Sequence, residues 1–371
     1  MNVPLLDLVA QYRAIKDEVL PAMMAVIESQ QFIMGAPVAQ LEAAVAKVSH
    51  AQFGIGCASG TDALLLPLKA LQLKPGDEVI TTPFTFFATA GAIHNAGGTP
   101  VFADIDAGTF NIDPKAVEAA MTSRTRAIMP VHLYGQMADM ERLLQLAQKR
   151  HIPVIEDAAQ AIGARRKIDG EWRLAGELGW VTGYSFFPSK NLGAWGDGGM
   201  MVTSDAPTAE RLRKLRLHGG AKQYHHEEVG TNSRLDTLQA AVLLAKLPHL
   251  AAWSAARREN AAYYTKGLAG VAGVRTPTVE SANEHIFHQY TVRAQRRDQL
   301  QARLKEQGIG SAVYYPIPLH QQECFAHLGY KTGSLPQSER AAAEAISLPI
   351  YPELSRAQLD LVIATIRGFY A

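Results

Sequence analysis

The sequence predicts an α/β protein: a large domain with a mostly parallel sheet between helices, followed by a smaller α+β domain. Two observations carry this prediction. Short apolar runs alternate with helical patterns over residues 1–245, and the alternation stops over residues 246–371. Alternation of this kind implies parallel strands covered by helices on both faces. We place the domain boundary between residues 245 and 246, and leave open whether residues 1–15 pack elsewhere.

The periodicity of the apolar residues justifies each element in order. Residues 53–58 form the first strand candidate, and leucines recur at helical spacing over the helix candidate at 61–73. The next elements are a strand at 78–82, a helix at 86–95, a strand at 99–105, a helix at 114–121, a strand at 126–133, a helix at 138–149 and a strand at 152–155. Strands at 184–187 and 199–203 flank a glycine-rich loop, and a long helical region follows at 235–267. The second domain combines apolar segments at 290–293 and 311–315 with helices at 299–306 and 356–370.

Composition excludes several classes of partner. The chain has 371 residues with 36 basic and 35 acidic side chains, a net charge of +1 that gives no electrostatic footprint for nucleic acid or an anionic membrane. Two distant cysteines, Cys57 and Cys324, indicate a reducing compartment. The longest uncharged run, 79–103, is interrupted by prolines and glycines and predicts no membrane span. We expect a cytoplasmic protein.

Lys190 is the first candidate for chemistry. It lies between an apolar strand candidate and a loop with glycines at 193, 196, 198 and 199. Such surroundings desolvate a lysine, lower its pKa and leave a neutral amine that attacks carbonyl groups. The alternative is an ordinary solvated surface lysine.

Asp157 follows an apolar strand candidate and precedes two alanines. A carboxylate at the end of a buried strand is costly unless it pairs with a cation or with hydrogen-bond donors. An amine together with a buried acid is the combination that pyridoxal phosphate requires. The alternative for Asp157 is a cap for the following helix.

Two further groups of residues suit a flat phosphorylated ligand. Gly60 and Thr61 lie where the first strand meets its helix, so their amides are free to bind phosphate, and Ser185 adds a hydroxyl. Phe86 lies at another turn between a strand and a helix and is suited to stacking on a ring. The alternatives are a helix cap at residues 59–61 and a core role for Phe86.

Asn232 and Arg234 precede the long helix candidate. Asn232 suits a phosphate and Arg234 a carboxylate, while a cap and a structural ion pair are the alternatives. The cluster of histidines and glutamates at 225–228 predicts no metal site, because adjacent loop residues rarely converge on one ion.

Taken together, these segments resemble the DegT/DnrJ/EryC1/StrS family, pyridoxal-phosphate-dependent sugar aminotransferases of fold type I. The resemblance spans nearly the whole chain and rests on the motifs SGTDAL (59–64), PGDEVI (75–80), PVHLYG (130–135), IEDAAQ (155–160), SFFPSK (185–190), GDGG (196–199) and NSRLD (232–236).

The resemblance implies a role for each matching residue. Lys190 corresponds to the Schiff-base lysine and Asp157 to the partner of the pyridine nitrogen. The remaining cofactor positions are Phe86 for stacking on the ring, Gln160 for the phenolic oxygen, and Gly60, Thr61 and Ser185 for the phosphate. Asn232 matches an asparagine that reaches the phosphate from the neighbouring subunit, which implies a homodimer with shared sites.

The resemblance also implies the substrates. L-Glutamate donates the amino group and leaves as 2-oxoglutarate, and a nucleotide-linked ketosugar accepts it. The segments around Ser233 and Tyr314 are similar to those of members that aminate C3 of the sugar, although such members often have histidine in place of Tyr314. We expect a UDP-linked 3-keto-N-acetylglucosamine or its uronic acid, then a dTDP-linked 3-keto-6-deoxyhexose. Arg234 is the candidate for a carboxylate, and Tyr314 and Tyr315 for the sugar.

Three other functions stay open. A dehydratase of the same family has histidine at the lysine position, so Lys190 argues against it. An amino-acid aminotransferase of the same fold would accept keto acids. A non-catalytic regulator would bind cofactor or sugar nucleotide without turnover, and the intact set of Asp157, Ser185, Lys190 and Asn232 argues against that function.

Overall fold

The computed structural model describes residues 2–222 and 224–371. The helices are Leu8–Ser29 (α1), Ala36–Val48 (α2), Gly60–Ala70 (α3), Ala88–Asn95 (α4), Pro114–Ala120 (α5), Met140–Arg150 (α6), Ala206–Leu215 (α7), Thr237–Lys246 (α8), Leu250–Leu268 (α9), Arg297–Glu306 (α10), Pro336–Glu344 (α11) and Arg356–Tyr370 (α12). The strands are Phe53–Cys57 (β1), Glu78–Thr81 (β2), Thr99–Phe102 (β3), Thr125–Ile128 (β4), Ile155–Asp157 (β5), Arg165–Ile168 (β6), Glu171–Leu174 (β7), Val181–Ser185 (β8), Gly199–Thr203 (β9), Val274–Arg275 (β10), Asn283–Glu284 (β11), Tyr290–Ala294 (β12) and Ala345–Leu348 (β13).

The central sheet has the strand order β3-β2-β4-β5-β8-β9-β1. Parallel ladders join β3 to β2, β2 to β4 and β5 to β8, and parallel bridges from Ile128 to Val154 and from Val131 to Asp157 join β4 to β5. The strand β9 runs antiparallel to both β8 and β1. Because every other strand runs in one direction, their carboxyl ends meet at a single edge, where open α/β sheets bind ligands.

Apolar side chains form a large core around this sheet and a second core in the C-terminal part. The large core joins α2, α6 and α8 to the strands. The second core gathers buried residues of α9, α10, α12, β12 and β13, with Val3 from the chain start. Val3 also forms a parallel bridge with Ile309. The proposed boundary at residues 245 and 246 falls at the end of α8, and the division into two domains stays a prediction.

The helical region predicted at 235–267 is divided into two elements. The structure has two helices, α8 and α9, separated by a short 3-10 turn at Leu247–His249. Pro248 lies in that turn, where it lacks an N–H group and its ring obstructs a continuous α-helix. At 311–315 the structure has a single bridge, between Ala312 and Ser347, rather than a strand.

Two N-terminal helices, α1 and α2, had no counterpart in the sequence-based prediction. The buried face of α1 includes Ile15, Val19 and Val26 and packs against α8. Its other face exposes apolar side chains as well, at Leu8, Val9, Tyr12, Leu20, Met24 and Ile27. Apolar residues on both faces blur the single stripe by which an amphipathic helix is identified.

Among the described residues, none of the helices combines the length and the apolar character needed to cross a membrane.

Candidate active site

A cleft of about 420 Å³ opens at the carboxyl edge of the central sheet. Nine of the eleven residues that the sequence singled out line it: Gly60, Thr61, Phe86, Asp157, Gln160, Ser185, Lys190, Tyr314 and Tyr315. They come from loops after β1, β2, β5 and β8 and from the C-terminal part of the chain. A parallel sheet brings these loops together because its strands end at the same edge.

Lys190 lies in a tight turn after β8. Its N–H donates to the carbonyl oxygen of Phe187 at 2.8 Å, and the N–H of Ala194 donates to the carbonyl oxygen of Phe186 at 2.8 Å. Burial lowers the pKa of Lys190 to about 8, against the opposing attraction of the Asp157 carboxylate. Near neutral pH a useful fraction of this amine is therefore unprotonated and nucleophilic.

Asp157 is the last residue of β5 and is only 4% exposed. Its Oδ2 accepts a hydrogen bond from Thr89 Oγ1 at 2.7 Å, and its Oδ1 accepts one from the Ala159 N–H at 3.2 Å. Burial nevertheless raises the pKa of Asp157, because these donors and the charge of Lys190 compensate it only in part. A buried acid in this condition favours a cationic partner in the cleft.

Gly60 and Ser185 form a close junction between the start of α3 and the end of β8. A Cβ atom at Gly60 would lie 2.5 Å from Ser185 Cβ and 2.7 Å from Ser185 Oγ. Ser59 caps α3 by accepting the Asp62 N–H at 3.1 Å, so the predicted cap exists. The amides of Gly60 and Thr61 precede this capped position and make no hydrogen bond to any other described residue. The cap therefore leaves two amides at this helix start that are suited to binding an anion.

Aromatic side chains form the opposite wall of the cleft. Phe86 is 57% exposed, and its ring centroid lies 6.3 Å from that of Tyr315. Gln160 Nε2 donates to the Tyr315 hydroxyl at 3.0 Å, while its Oε1 accepts the Tyr134 N–H at 3.1 Å. The Tyr134 hydroxyl donates to the carbonyl oxygen of Tyr314. This chain of contacts joins the segments that follow β4 and β5 to the loop that precedes α11.

Asn232 and Arg234 lie outside the lining of the cleft. Asn232 is exposed, and Arg234 is half-buried. Between them, Ser233 is fully buried, donates to Asp62 Oδ2 at 2.7 Å and accepts the Ala58 N–H at 3.2 Å. Ser233 therefore fixes this segment against the start of α3, and neither Asn232 nor Arg234 lines the cleft of its own chain.

Sequence reasoning missed several residues of the cleft, among them Thr89, Tyr134, Asp197, His288 and Gln289. Thr89 is the second residue of α4, and its position opposite Asp157 follows only from the packing of α4 on the sheet. His288 and Gln289 precede β12 and reach the cleft across a long sequence separation. The one local signal was the cluster of histidines and an aromatic at 285–288.

Two other polar groups have structural roles. His132 is fully buried, and its Nε2 lies 2.7 Å from Glu156 Oε2. Burial acts to raise the pKa of Glu156, but hydrogen bonds from His132, Gly179 and Thr182 outweigh it and lower the pKa. Over residues 2–222 and 224–371, no cluster of three or more histidine, cysteine, aspartate or glutamate side chains is arranged to hold a metal ion.

The residues present fit pyridoxal phosphate. The missing Cβ at Gly60 and the free amides beside it suit a phosphate, the half-buried Lys190 amine suits an aldehyde, and Asp157 suits a protonated ring nitrogen. The exposed face of Phe86 is available for stacking.

A family model described as the DegT/DnrJ/EryC1/StrS aminotransferase family matches residues 13–367. The chain is 55% identical over 372 residues to a Geobacillus stearothermophilus protein named pleiotropic regulatory protein, covering 100% of this chain and 99% of that protein. It is 47% identical over 365 residues to an Acidithiobacillus ferrooxidans protein named UDP-N-acetyl-3-dehydro-alpha-D-glucosamine 3-aminotransferase, covering 98% and 97%. The crystal structure of S. venezuelae DesV in complex with a ketimine intermediate superposes with a TM-score of 0.96 at 42% identity, covering 100% of this chain and 98% of that chain.

Proposed function

Because this chain belongs to the DegT/DnrJ/EryC1/StrS aminotransferase family, we propose that it transfers the amino group of L-glutamate to C3 of a UDP-linked 3-keto-N-acetylglucosamine. Membership confirms the predicted α/β fold of type I, the aminotransferase activity and the pyridoxal phosphate cofactor. The relative from Acidithiobacillus ferrooxidans supports the choice of sugar and nucleotide, because its name describes that reaction.

One observation carries the catalytic part of the proposal. Lys190 and Asp157 lie in the same cleft, and each affects the pKa of the other. The lysine has a pKa near 8 and the acid is buried without a fixed cation. An amine that is easily deprotonated beside an acid that favours a cationic partner is suited to this cofactor and to few other ligands.

Pyridoxal phosphate, when bound, supplies an aldehyde that takes the amino group and a ring that spreads negative charge. The chain supplies the rest. The amides of Gly60 and Thr61 and the Ser185 hydroxyl bind the phosphate, and Asp157 keeps the ring nitrogen protonated. The Lys190 amine takes the proton from Cα of glutamate as general base and returns a proton as general acid.

We propose that the protein acts as a homodimer with shared sites. Asn232 and Arg234 lie outside the cleft of their own chain, which suits groups that serve the neighbouring subunit. The apolar face of α1 and the exposed residues Phe32, Ile33 and Met34 offer a surface that a second copy would cover. On this arrangement, Asn232 reaches the phosphate of the partner's cofactor, and Arg234 holds a carboxylate of the donor. Tyr314 and Tyr315, on the open wall of the cleft, contact the sugar.

The test begins with the purified protein. It is expected to absorb in the near-visible range, and borohydride is expected to attach the cofactor covalently to Lys190. The aminated enzyme is then mixed with UDP-linked and dTDP-linked 3-ketosugars and with a panel of keto acids. Recovery of the absorbance with the UDP-linked sugar is the expected result. Recovery with keto acids alone would make the protein an amino-acid aminotransferase.

The name of the Geobacillus stearothermophilus relative makes regulation the second candidate. The two functions are separable with one variant. If the protein is an enzyme, wild type performs half-transamination with L-glutamate and Lys190→Ala does not. A wild-type protein that binds cofactor yet gives no half-transamination with any donor would favour the regulator.

A further inference from the structure

His288 lies on the inner wall of the cleft and has no role in the chemistry proposed above. Its side chain is 5% exposed and lines the cleft together with Lys190 and Gln289. Arg257 holds the backbone at this point, with Nη1 donating to the carbonyl oxygens of Phe287 at 3.3 Å and His288 at 3.4 Å. The imidazole therefore has a fixed position in the cleft that Lys190 also lines.

The neighbouring hydrogen bonds determine the tautomer of His288. Asn191 Nδ2 donates to the carbonyl oxygen of Ile286 at 3.3 Å, which turns Asn191 Oδ1 towards His288 Nδ1 at 3.1 Å. The opposite orientation of the amide would place two acceptor oxygens together. Because Oδ1 only accepts, His288 Nδ1 carries the hydrogen, and Nε2 of the neutral ring has a free lone pair.

The surroundings keep the imidazole neutral. Burial and then the positive charge of Lys190 lower the pKa of His288 well below its ordinary value, and Arg257 and His285 act in the same direction. The amide nitrogen of Gln289 lies 3.5 Å from Nε2, at the limit of a hydrogen bond. The lone pair of Nε2 is thus available to another donor in the cleft.

We propose that His288 is a positioning residue whose Nε2 accepts a hydrogen bond from the Lys190 amine whenever that amine is free of the cofactor. Asn191 supports this hydrogen bond in two ways. It fixes the imidazole of His288, and it is the residue next to Lys190 in the turn. A neutral acceptor restrains the amine without adding a second positive charge beside it. The inference rests on the proposed function, because it concerns the step in which Lys190 moves a proton.

Two substitutions distinguish the role of His288 Nδ1 from that of His288 Nε2. In His288→Asn the amide can keep the contact with Asn191 but places nothing at Nε2, whereas in His288→Gln the longer amide reaches the position of Nε2. We expect His288→Asn to lower kcat of the glutamate half-reaction about 10- to 100-fold with KM nearly unchanged, and His288→Gln to recover part of this loss. The pH profile of kcat for the glutamate half-reaction, in which the Lys190 amine is free of the cofactor, should shift in His288→Asn and return towards wild type in His288→Gln.

His285→Asn is the matched control. His285 is a buried histidine three residues away, does not line the cleft, and accepts the Phe287 N–H through Nδ1 at 2.8 Å, a contact that asparagine can replace. We expect the wild-type kcat and the wild-type pH profile of kcat in this variant.

Other results would contradict the role proposed for His288. If His288→Asn matches wild type in kcat and in the pH profile of kcat while His288→Gln is impaired, the histidine acts only through Nδ1 and the proposal is wrong. Should both variants fail to fold, neutron diffraction from wild-type crystals decides, because a hydrogen on Nε2 would overturn it. Borohydride labelling of Lys190 in wild type tests the proposed function separately, so the two failures are distinguishable.

Discussion

The carboxylate of Asp157 is buried, and its hydrogen bonds offset the cost of desolvation only in part. Two donors, Thr89 Oγ1 and the Ala159 N–H, reach its oxygens, yet burial still raises its pKa. Removing the charge therefore relieves a desolvation cost in the cofactor-free protein, while it deletes the group that would hold a protonated ring nitrogen. Removal of this charge is therefore expected to maintain or raise the stability of the cofactor-free protein and to lower its catalytic activity.

The substitution Asp157→Asn tests this at the residue scale. We expect turnover to fall by about 10²-fold or more, because an amide does not stabilise a cationic ring nitrogen. The unfolding temperature of the cofactor-free variant should equal or exceed that of wild type, measured by differential scanning calorimetry. A large loss of stability without cofactor, accompanied by normal turnover in the surviving protein, would contradict a role in cofactor chemistry.

At the scale of elements, the turn that carries Lys190 is held from α8. Trp195 N–H donates to Gln239 Oε1 at 2.8 Å, and Lys246 Nζ donates to the carbonyl oxygen of Gly193 at 2.7 Å. Burial lowers the pKa of Lys246 to about 8. From the other side, Asn191 binds the segment before β12. The turn that carries Lys190 is thus held by α8 on one side and by the segment before β12 on the other. These contacts restrict the motion of the turn.

The segment before β12 also carries a prediction about pH. Burial lowers the pKa of His285 to about 3, so between that pH and about 6.5 the unfolded chain binds a proton that the folded chain does not. The free energy of unfolding therefore falls as pH drops below 6.5, and this residue alone contributes up to about 1.4 kcal/mol per pH unit. From pH 6.5 to 5, wild type should lose about 2 kcal/mol more than His285→Asn in urea unfolding. Parallel pH profiles for the two proteins would show that His285 is not the titrating group.

At the scale of the whole molecule, the cleft of one chain is lined by nine of the eleven candidate site residues. Its cleft holds the lysine, the acid and the phosphate amides, while Asn232 and Arg234 lie elsewhere. The exposed apolar face of α1, which includes Val9 and Met24, lies on a helix that packs against α8. Association through this face would therefore act on the same helix that supports the lysine turn.

Subunit mixing tests the shared site. Lys190→Ala and Asn232→Asp each leave both sites of a homodimer defective, but a mixed dimer has one site with both native residues. Random exchange gives mixed dimers in about half of the population, each with one of two sites intact, so roughly a quarter of wild-type activity should return. Activity that stays at the level of the separate variants, although a native-mass assay shows mixed dimers, would place Asn232 outside the partner's site.

The sequence by itself identified the candidate site residues that lie close to the end of a predicted strand. Lys190, Asp157, Gly60, Thr61 and Ser185 each follow an apolar run, and the rule that parallel strands end at one edge brings them into one cleft. The helical region at 235–267 was predicted, but its division into two helices was not, although Pro248 is the local cause.

Only the tertiary structure decided the contacts between distant segments. Asn191 meets His288 across 97 residues, and Gln160 meets Tyr315 across 155. Apolar periodicity reports which face of an element is buried, but it carries no information about which other segment covers that face. The tautomer of His288 and the wall opposite Phe86 therefore depend on how the C-terminal part packs against the sheet edge, which no local pattern specifies.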